Sequence, residues 1–356
     1  MIRIEPKIIF FVSMILIIIF ISIIVYYSYK KIKTELYEDV PIVSFPFKNL
    51  FDENQKPLNI ILISAPFRET KHEELYQEYK DKGLSFCGIS SYLNFPGPID
   101  NPFEDHFHVE RKHDYIQMAT SWLHCFREDK IPTNLKQSNL PMILMTEADL
   151  KNSENIPFKT DDNKLEKKYD FMYCCLDDND KCDPGWQSYN RNWELAKKCL
   201  EVMCSQFNLK GILVGRQNCE FTNKCNSLVK VVPFLAYSEF QEEMQKCKFL
   251  FVPNISDASP RVMTEAMCYN MPVLVNYNII GGWHNVIPSI TGEFFTNEND
   301  IIPSLSKIVN NYNSYQPRGW FQSHRGVKNS GKVLAEFLKE SYPNLKKDFQ
   351  YATITI

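Results

Sequence analysis

A run of twenty residues without a charge lies close to the N-terminus, and it constrains this chain more than any other feature. Residues 8–27 read IIFFVSMILIIIFISIIVYY, in which two serines and the terminal tyrosines carry the only polar side chains. As a helix the run would span about 30 Å, which matches the hydrocarbon core of a bilayer. It is too long for a cleaved signal peptide, and its terminal tyrosines suit a membrane interface. We therefore expect one uncleaved transmembrane helix, with residues 1–33 as the membrane anchor.

Basic residues flank this run on both sides. Arg3 and Lys7 precede it, and Lys30, Lys31 and Lys33 follow it. The positive-inside rule orients a span only when the basic residues are unequally distributed, and here the two sides are nearly balanced. We expect a single-pass membrane protein of the endomembrane system. The sequence leaves open on which side of the membrane the body, residues 34–356, lies.

The rest of the chain is mildly acidic. The whole chain has 40 basic and 43 acidic residues, and residues 1–33 contain five of the basic and one of the acidic residues. The remaining chain therefore has 35 basic and 42 acidic residues, a net charge of −7. Proteins that bind nucleic acid usually present a basic surface, so we expect no nucleic-acid partner.

Short apolar runs alternate with helix-forming segments through the body, which predicts an α/β fold with parallel sheets covered by helices. The predicted strands are 59–67, 84–91, 140–150, 169–176, 210–216, 227–235, 248–254 and 271–276. The predicted helices are 69–82, 115–127, 186–207, 260–269 and 331–342. Prolines and a polar stretch at 151–168 suggest the boundaries. We expect a juxtamembrane linker at 34–57 and two Rossmann-like domains at 58–160 and 161–330. A C-terminal helix and tail would follow at 331–356.

The cysteines do not identify a compartment. All eleven lie between Cys87 and Cys268, and none has the CxxC spacing of zinc or redox sites. We expect buried free thiols, although Cys174, Cys175 and Cys182 leave a disulfide open. The one glycosylation sequon begins at Asn254, beside the site described below, where a glycan would obstruct a ligand.

Some polar residues of the first predicted domain are weaker candidates. Glu147 and Asp149 lie where a predicted strand runs into a loop and could act as acid or base, but we expect a solvated loop there. His106, His108 and His113 have a loose metal-ligand spacing with no acidic motif to complete it. We expect surface histidines and no metal site.

Residues 249–292 combine a strand, a polar turn, a short helix, a second strand and a glycine pair. Ser259 is a plausible N-cap and Pro260 suits the first helical position. The N-terminus of such a helix presents free N–H groups to an anion such as a phosphate, and Arg261 adds a positive charge. A backbone without side chains allows a ligand to approach closely at Gly281 and Gly282.

This segment resembles the sugar-donor-binding core of group 1 (family 4) glycosyltransferases of the GT-B fold. The matching pattern is Asp257, seven residues, Glu265-Ala-Met, and then Met-Pro-Val-Leu-Val from Met271. The glycine pair also matches, and the resemblance extends over about 169–310. It implies two Rossmann-like domains with parallel sheets facing across a cleft. The N-terminal domain would bind the acceptor and the C-terminal domain the nucleotide sugar.

The resemblance also implies roles for single residues. Asp257 would be the catalytic residue facing the donor sugar, and Glu265 would hold the ribose hydroxyls. The chain departs from the family in having aspartate at the first acidic position and Ala-Ser-Pro in place of a glycine-containing turn. The family's basic pair for the diphosphate is not evident. The residues we expect to bind the donor are Glu265, Ser259, Pro260, Arg261, Gly281, Gly282, Lys181 and Arg191.

The function implied is transfer of a sugar from a nucleotide diphosphate sugar to a glycan, lipid or protein acceptor. Retention of the anomeric configuration follows from the resemblance. Because a helix N-terminus with Arg or Lys can stabilise a departing diphosphate, we expect neither a metal nor a cofactor. Two alternatives stay open: an inactive membrane-tethered protein that binds sugar nucleotides or acts as a scaffold, and a GT-B nucleotide-sugar epimerase. The anchor argues against the epimerase, whose soluble substrate needs no tether.

Overall fold

A computed structural model describes most of the body and parts of the N-terminal run. The described residues are 14, 17–23, 26, 40–99, 102–103, 113–156, 166–179, 181–345 and 348–354. The described positions of the apolar run are helical, and the rest of that run lies outside the described residues. Among the residues that are described, no helix is both long and apolar enough to cross a membrane.

The N-terminal domain contains a six-stranded sheet with the order β12-β1-β2-β3-β4-β5. Neighbouring strands from β2 to β5 are parallel, whereas β1 runs antiparallel to both β2 and β12. The strands are β1 Phe47–Phe51, β2 Pro57–Ile63, β3 Ser85–Ile89, β4 Ser121–His124, β5 Met142–Leu144 and β12 Thr353–Ile354.

The C-terminal domain contains a second six-stranded sheet, with the order β11-β10-β9-β6-β7-β8 and every neighbouring pair parallel. Apolar runs such as Gly211–Val214 and Val273–Asn276 are buried at every position, as expected of strands covered on both faces. The strands are β6 Tyr169–Cys174, β7 Gly211–Val214, β8 Val229–Val232, β9 Cys247–Val252, β10 Val273–Asn276 and β11 Gly292–Phe295.

Helices cover the faces of both sheets. In the described parts of the body they are α1 Thr70–Asp81, α2 Tyr115–Met118, α3 Thr133–Lys136, α4 Trp186–Asn190, α5 Trp193–Ser205, α6 Asn223–Leu228, α7 Tyr237–Gln245, α8 Arg261–Cys268, α9 Ile301–Asn311, α10 Pro317–His324 and α11 Gly326–Ser341. Short 3-10 turns occur at Glu128–Lys130, Glu147–Leu150, Trp283–Asn285 and Tyr312–Ser314. Two α/β domains, one with a wholly parallel sheet and one whose sheet is parallel from β2 to β5, therefore agree with the α/β part of the fold class expected from the sequence.

Two sequence-based assignments in the N-terminal half are wrong. Residues 47–51, expected in a linker, form β1 inside the first sheet. The prolines of that region do not prevent this, because Pro46 precedes β1 and Pro57 is the first residue of β2. The helix expected at 115–127 is one turn, α2, followed by the buried strand β4. A short apolar run fits either element, and periodicity alone does not separate them.

Two assignments in the C-terminal half also differ from the structure. The long helix expected at 186–207 is two helices, because Asn192 adopts a left-handed conformation with φ of 53° between α4 and α5. The strand expected at 227–235 is shorter, because residues up to Leu228 belong to α6.

The C-terminal segment is not a free tail, because it returns to the first sheet. Leu334 and Leu338 of α11 are buried in the same core as Leu50 of β1. The Tyr342 hydroxyl donates a hydrogen bond to the Phe86 carbonyl at 2.7 Å. Strand β12 then pairs with β1 at the edge of the sheet. Residues from both ends of the body therefore build the N-terminal domain.

The expectation that the thiols are free holds for seven of the eleven cysteines. Disulfides join Cys182 to Cys219 and Cys204 to Cys225, while the other seven are unbonded. The first disulfide connects the loops that follow the neighbouring strands β6 and β7. Its partners are 37 residues apart in sequence and become adjacent only when these strands pair, so spacing did not indicate it.

Candidate active site

A cleft of about 710 Å³ lies between the two domains, at the carboxyl ends of their parallel strands. Residues from both sheets line it, including the loop after β3, the turn after β5 and the loop after β6. From the C-terminal domain, residues 256–259 and the first turns of α8 complete the wall. The cations along it are Lys48, Lys151, Arg191 and Arg261.

Asp257 is held in place at the edge of this cleft. Its carboxylate pairs with the Arg191 guanidinium, and Asn254 Nδ2 donates to Asp257 Oδ2 at 3.0 Å. The Ser259 N–H donates to Oδ1 at 3.3 Å. The charge of Asp257 raises the pKa of Arg191 above its usual value, even though burial opposes this. The structure therefore brings together two of the sequence-predicted residues, Asp257 and Arg191.

Glu265 lies on α8 and faces the same cleft. Lys151 Nζ donates to Glu265 Oε1 at 2.8 Å, and the Tyr237 hydroxyl donates to the same oxygen at 3.1 Å. The side chain of Glu265 is only 13% exposed and that of Lys151 only 18%. A carboxylate in this setting keeps its second oxygen for a ligand hydroxyl.

The two glycines bring their loop against Asp257 and the start of α8, and neither is among the residues that line the cleft, so the close approach to a ligand expected of them has no geometric support. The Gly281 N–H donates to the Asp257 carbonyl at 2.9 Å. A Cβ at Gly281 would lie 1.8 Å from the Ala258 carbonyl oxygen, so only glycine fits there. Gly282 has φ of 72°, a conformation that glycine adopts without strain. The glycine pair thus sets the distance between this loop and the start of α8.

The start of α8 differs in one respect from the expectation. The helix begins at Arg261 with Pro260 in the N-cap position, and no side chain caps it. The prediction that Ser259 is the N-cap is wrong, because its Oγ accepts a hydrogen bond from the Ala148 N–H of the other domain at 3.1 Å. Arg261 lines the cleft, and its guanidinium makes no hydrogen bond or ion pair with any residue that the structure describes.

Lys181 is separated from the other predicted residues. It is exposed on the loop after β6, and it is not among the residues that line the cleft. Its backbone N–H bonds to Asn179 Oδ1 within that loop. The diphosphate role predicted for Lys181 therefore has no geometric support, whereas Lys48 and Lys151 do line the cleft.

The two acidic residues after β5 have different positions. Glu147 lines the cleft and pairs with Lys48 at 2.6 Å. Asp149 is buried and accepts hydrogen bonds from His284 Nε2 at 2.9 Å and from Asn285 Nδ2 at 2.7 Å. Burial would raise the pKa of Asp149, but the charge of His284 and these hydrogen bonds lower it to about 2. The solvated-loop interpretation is wrong for both residues.

Sequence reasoning also missed Arg216, which is fully buried at the end of β7. Its Nη2 donates to Ser188 Oγ at 2.5 Å, and its guanidinium lies 4.4 Å from the Trp193 ring centroid. Asp177 and Asp178 lie 3.8 and 3.7 Å away and balance its charge. Nothing in the local pattern around Arg216 marks it as buried.

Of the three histidines considered as metal ligands, only His113 is among the described residues. His106 and His108 lie outside the described residues, and His113 Nε2 lies 3.3 Å from Glu73. One group in the described part of the chain has ligand atoms close enough to share an ion, namely Asp177, Cys182 and Cys219. Its two sulfurs are joined in a disulfide, so they do not fit a metal.

Three solved structures share this architecture at low sequence identity. HepE from Anabaena in complex with UDP matches with a TM-score of 0.55 at 12% identity, over 78% of this chain and 78% of HepE. Sucrose-phosphate synthase from Thermosynechococcus elongatus gives 0.51 at 12% identity, over 74% of this chain and 69% of the synthase. TarM gives 0.55 at 13% identity over 80% of this chain, which spans about half (54%) of the length of TarM.

Sequence comparison adds no family. No protein-family model matches the chain, and no curated protein matches it. The structural likeness shows that the chain has the two-domain fold of GT-B glycosyltransferases.

Proposed function

We propose that this chain is a glycosyltransferase that uses a nucleotide diphosphate sugar as its donor. One observation carries the proposal: Asp257 and Glu265, eight residues apart in the sequence, face one interdomain cleft together with the N-terminus of α8. One wall of the cleft then contains a hydrogen-bond acceptor for ribose hydroxyls (Glu265), an anion site (the N-terminus of α8) and a carboxylate for the sugar (Asp257). The fold shared with HepE, solved with UDP and UDP-glucose, supports this choice of ligand.

The charge of the cleft suits a diphosphate leaving group. Arg261 is available to an incoming anion, and Arg191 stands beside Asp257. The first N–H groups of α8 add the positive end of a helix dipole. Since fixed positive groups stabilise the charge that develops on a departing diphosphate, we propose that transfer requires no metal and no cofactor. The protein's acidic net charge does not oppose this, because the positive field is local.

We further propose that Asp257 acts at the sugar. Its carboxylate is fixed by Arg191 and Asn254, and it lies at the cleft rather than in the core. A fixed negative group beside the anomeric carbon would stabilise positive charge that develops as the bond to the diphosphate breaks. Together with the resemblance to family 4 enzymes, this favours retention of the anomeric configuration. The acceptor, a glycan, lipid or protein, would approach from the N-terminal domain.

Residues 8–27 support the proposal that the enzyme is anchored in a membrane, because the run is twenty residues long and has no charge. The disulfides favour a body on the oxidising side of that membrane, since disulfides are rare in reducing compartments. Asn254 of the sequon is buried against Asp257, so a glycan there would be incompatible with the described site.

The experiment is donor binding and turnover with the full-length protein in detergent. UDP-, GDP- and ADP-sugars are titrated by calorimetry, and hydrolysis or transfer is followed by the release of nucleotide. We expect one nucleotide class to bind and its sugar to be released, with Asp257→Asn retaining binding and losing turnover. Binding without turnover by the wild type would favour the inactive scaffold, and no binding would refute the proposed function.

A further inference from the structure

Three residues of the N-terminal domain contact three different parts of the proposed donor site. They belong to residues 147–151, which we call the bridging segment. The Ala148 N–H donates to Ser259 Oγ before α8, and Asp149 accepts from Asn285, which closely follows the glycine pair. Lys151 reaches Glu265 on α8. The bridging segment is therefore fixed to the C-terminal domain at three points.

Lys151 sits where it restricts Glu265. Lys151 Nζ and the Tyr237 hydroxyl both donate to Oε1, and they also lie 3.2 Å from each other. Glu265 Oε2 receives no hydrogen bond from any residue that the structure describes. Burial lowers the pKa of Lys151, but the hydrogen bond and charge of Glu265 raise it above its usual value. Lys151 is therefore a cation, and one carboxylate oxygen is committed to protein while the other stays available.

We propose that Lys151 is a positioning residue for nucleotide binding, which acts by holding Glu265 with Oε2 aimed at the ribose hydroxyls. This inference rests on the proposed function, because it takes the ligand of Glu265 to be a ribose diol. A largely shielded carboxylate that is held in one rotamer binds a diol without losing side-chain entropy at that moment. The contact also crosses the domain interface, so the N-terminal domain contributes to nucleotide affinity through Glu265.

The alternative is that Lys151 contacts the diphosphate directly, and the geometry argues against it. Its ammonium is already engaged by Glu265 and Tyr237, and both side chains of the ion pair are largely shielded from solvent. Arg261, in contrast, lines the same cleft and is open to an anion. A direct phosphate role for Lys151 would require it to leave its present partners.

The test is a double-mutant cycle on UDP affinity, measured by calorimetry with the full-length protein in detergent. We expect Lys151→Met to weaken UDP binding about tenfold, because it removes a hydrogen bond to a charged group. Lys151→Arg should restore most of the affinity. Lys151→Met should add nothing to Glu265→Gln, since both remove the same interaction. Inorganic diphosphate should bind Lys151→Met as it binds the wild type.

Two further variants separate positioning from folding. Tyr237→Phe removes the second donor to Oε1 from an exposed residue, and should weaken UDP binding in the same non-additive way. Lys82→Met removes an exposed ion pair of 2.6 Å with Glu78 and should leave UDP affinity unchanged. Melting temperatures of all variants show whether each is folded.

Four outcomes would overturn the inference. They are UDP affinity unchanged by Lys151→Met, an additive loss in the double mutant, a loss of diphosphate binding in Lys151→Met, and no effect of Tyr237→Phe. The proposed function fails differently: if the wild type binds no nucleotide at all, both proposals fall. If the wild type binds UDP and the cycle is additive, only the role of Lys151 is lost.

Discussion

Asp149 joins the two domains through a buried carboxylate, so its removal should cost stability in a pH-dependent way. The carboxylate accepts from His284, Asn285 and the Thr146 N–H, and its side chain is 3% exposed. Its pKa falls from 3.8 to about 2 on folding, although burial alone would raise it. A lowering of this size corresponds to about 2 kcal/mol of unfolding free energy. We expect Asp149→Asn to lose about this amount, because Asn keeps the shape but not the charge.

The pH dependence has a definite sign. A carboxyl whose pKa is lower in the folded protein stabilises it at pH values above the unfolded pKa of 3.8, and this contribution disappears as the pH falls through the folded value near 2. The stability difference between wild type and Asp149→Asn should therefore be largest at about pH 5 to 6 and shrink towards pH 2.

Urea unfolding from pH 2 to pH 6, followed by tryptophan fluorescence, measures this difference. Asp129→Asn is the matched control, because Asp129 is exposed and its one ion pair with a described residue is a 4.0 Å contact with the adjacent Lys130. It should change stability by less than about 0.5 kcal/mol. If Asp149→Asn matched this control, or if its deficit grew at low pH, the account of the domain interface would be refuted.

Two more predictions concern the glycine loop and the disulfides. Gly281→Ala should weaken UDP binding more than about tenfold, because its Cβ would clash with the Ala258 carbonyl and displace the loop. Gly319→Ala is the control, because a Cβ there meets no atom within 4 Å and should leave UDP binding unchanged. Equal UDP affinities of the two variants by calorimetry would contradict this prediction. Peptide mapping of the membrane-extracted protein under non-reducing conditions should recover Cys182 linked to Cys219, and recovery of both as free thiols would refute an oxidising compartment.

The sequence predicted the part of the site that is local in the chain. Asp257 and Glu265 lie within one strand–helix–strand unit and the glycine pair is in the loop that follows it, where spacing and residue type carry the information. The α/β alternation was also visible, because buried parallel strands are continuous apolar runs. The boundary errors arose where an apolar run was too short to show a period, as at β4.

The rest of the site could not be predicted because its residues are distant in the chain. Lys151 and Glu265 are 114 residues apart, and Lys48 and Glu147 are 99 apart. Lys48 lies on a strand that the sequence suggested was a linker, and nothing near Lys151 distinguishes it from a solvated lysine. Formation of the first sheet brings Lys48 to Glu147, and the approach of the two domains across the cleft brings Lys151 to Glu265.

The most direct test of the central claim is calorimetric titration of UDP-glucose into the full-length wild-type protein and Glu265→Gln, with Lys82→Met as the control. The account predicts saturable one-site binding of UDP-glucose, or of a GDP- or ADP-sugar titrated in the same way, to the wild type and to the control. In Glu265→Gln this binding should be weakened more than about tenfold. Wild-type binding that is unaffected by Glu265→Gln would place the ligand elsewhere and contradict the proposed donor site.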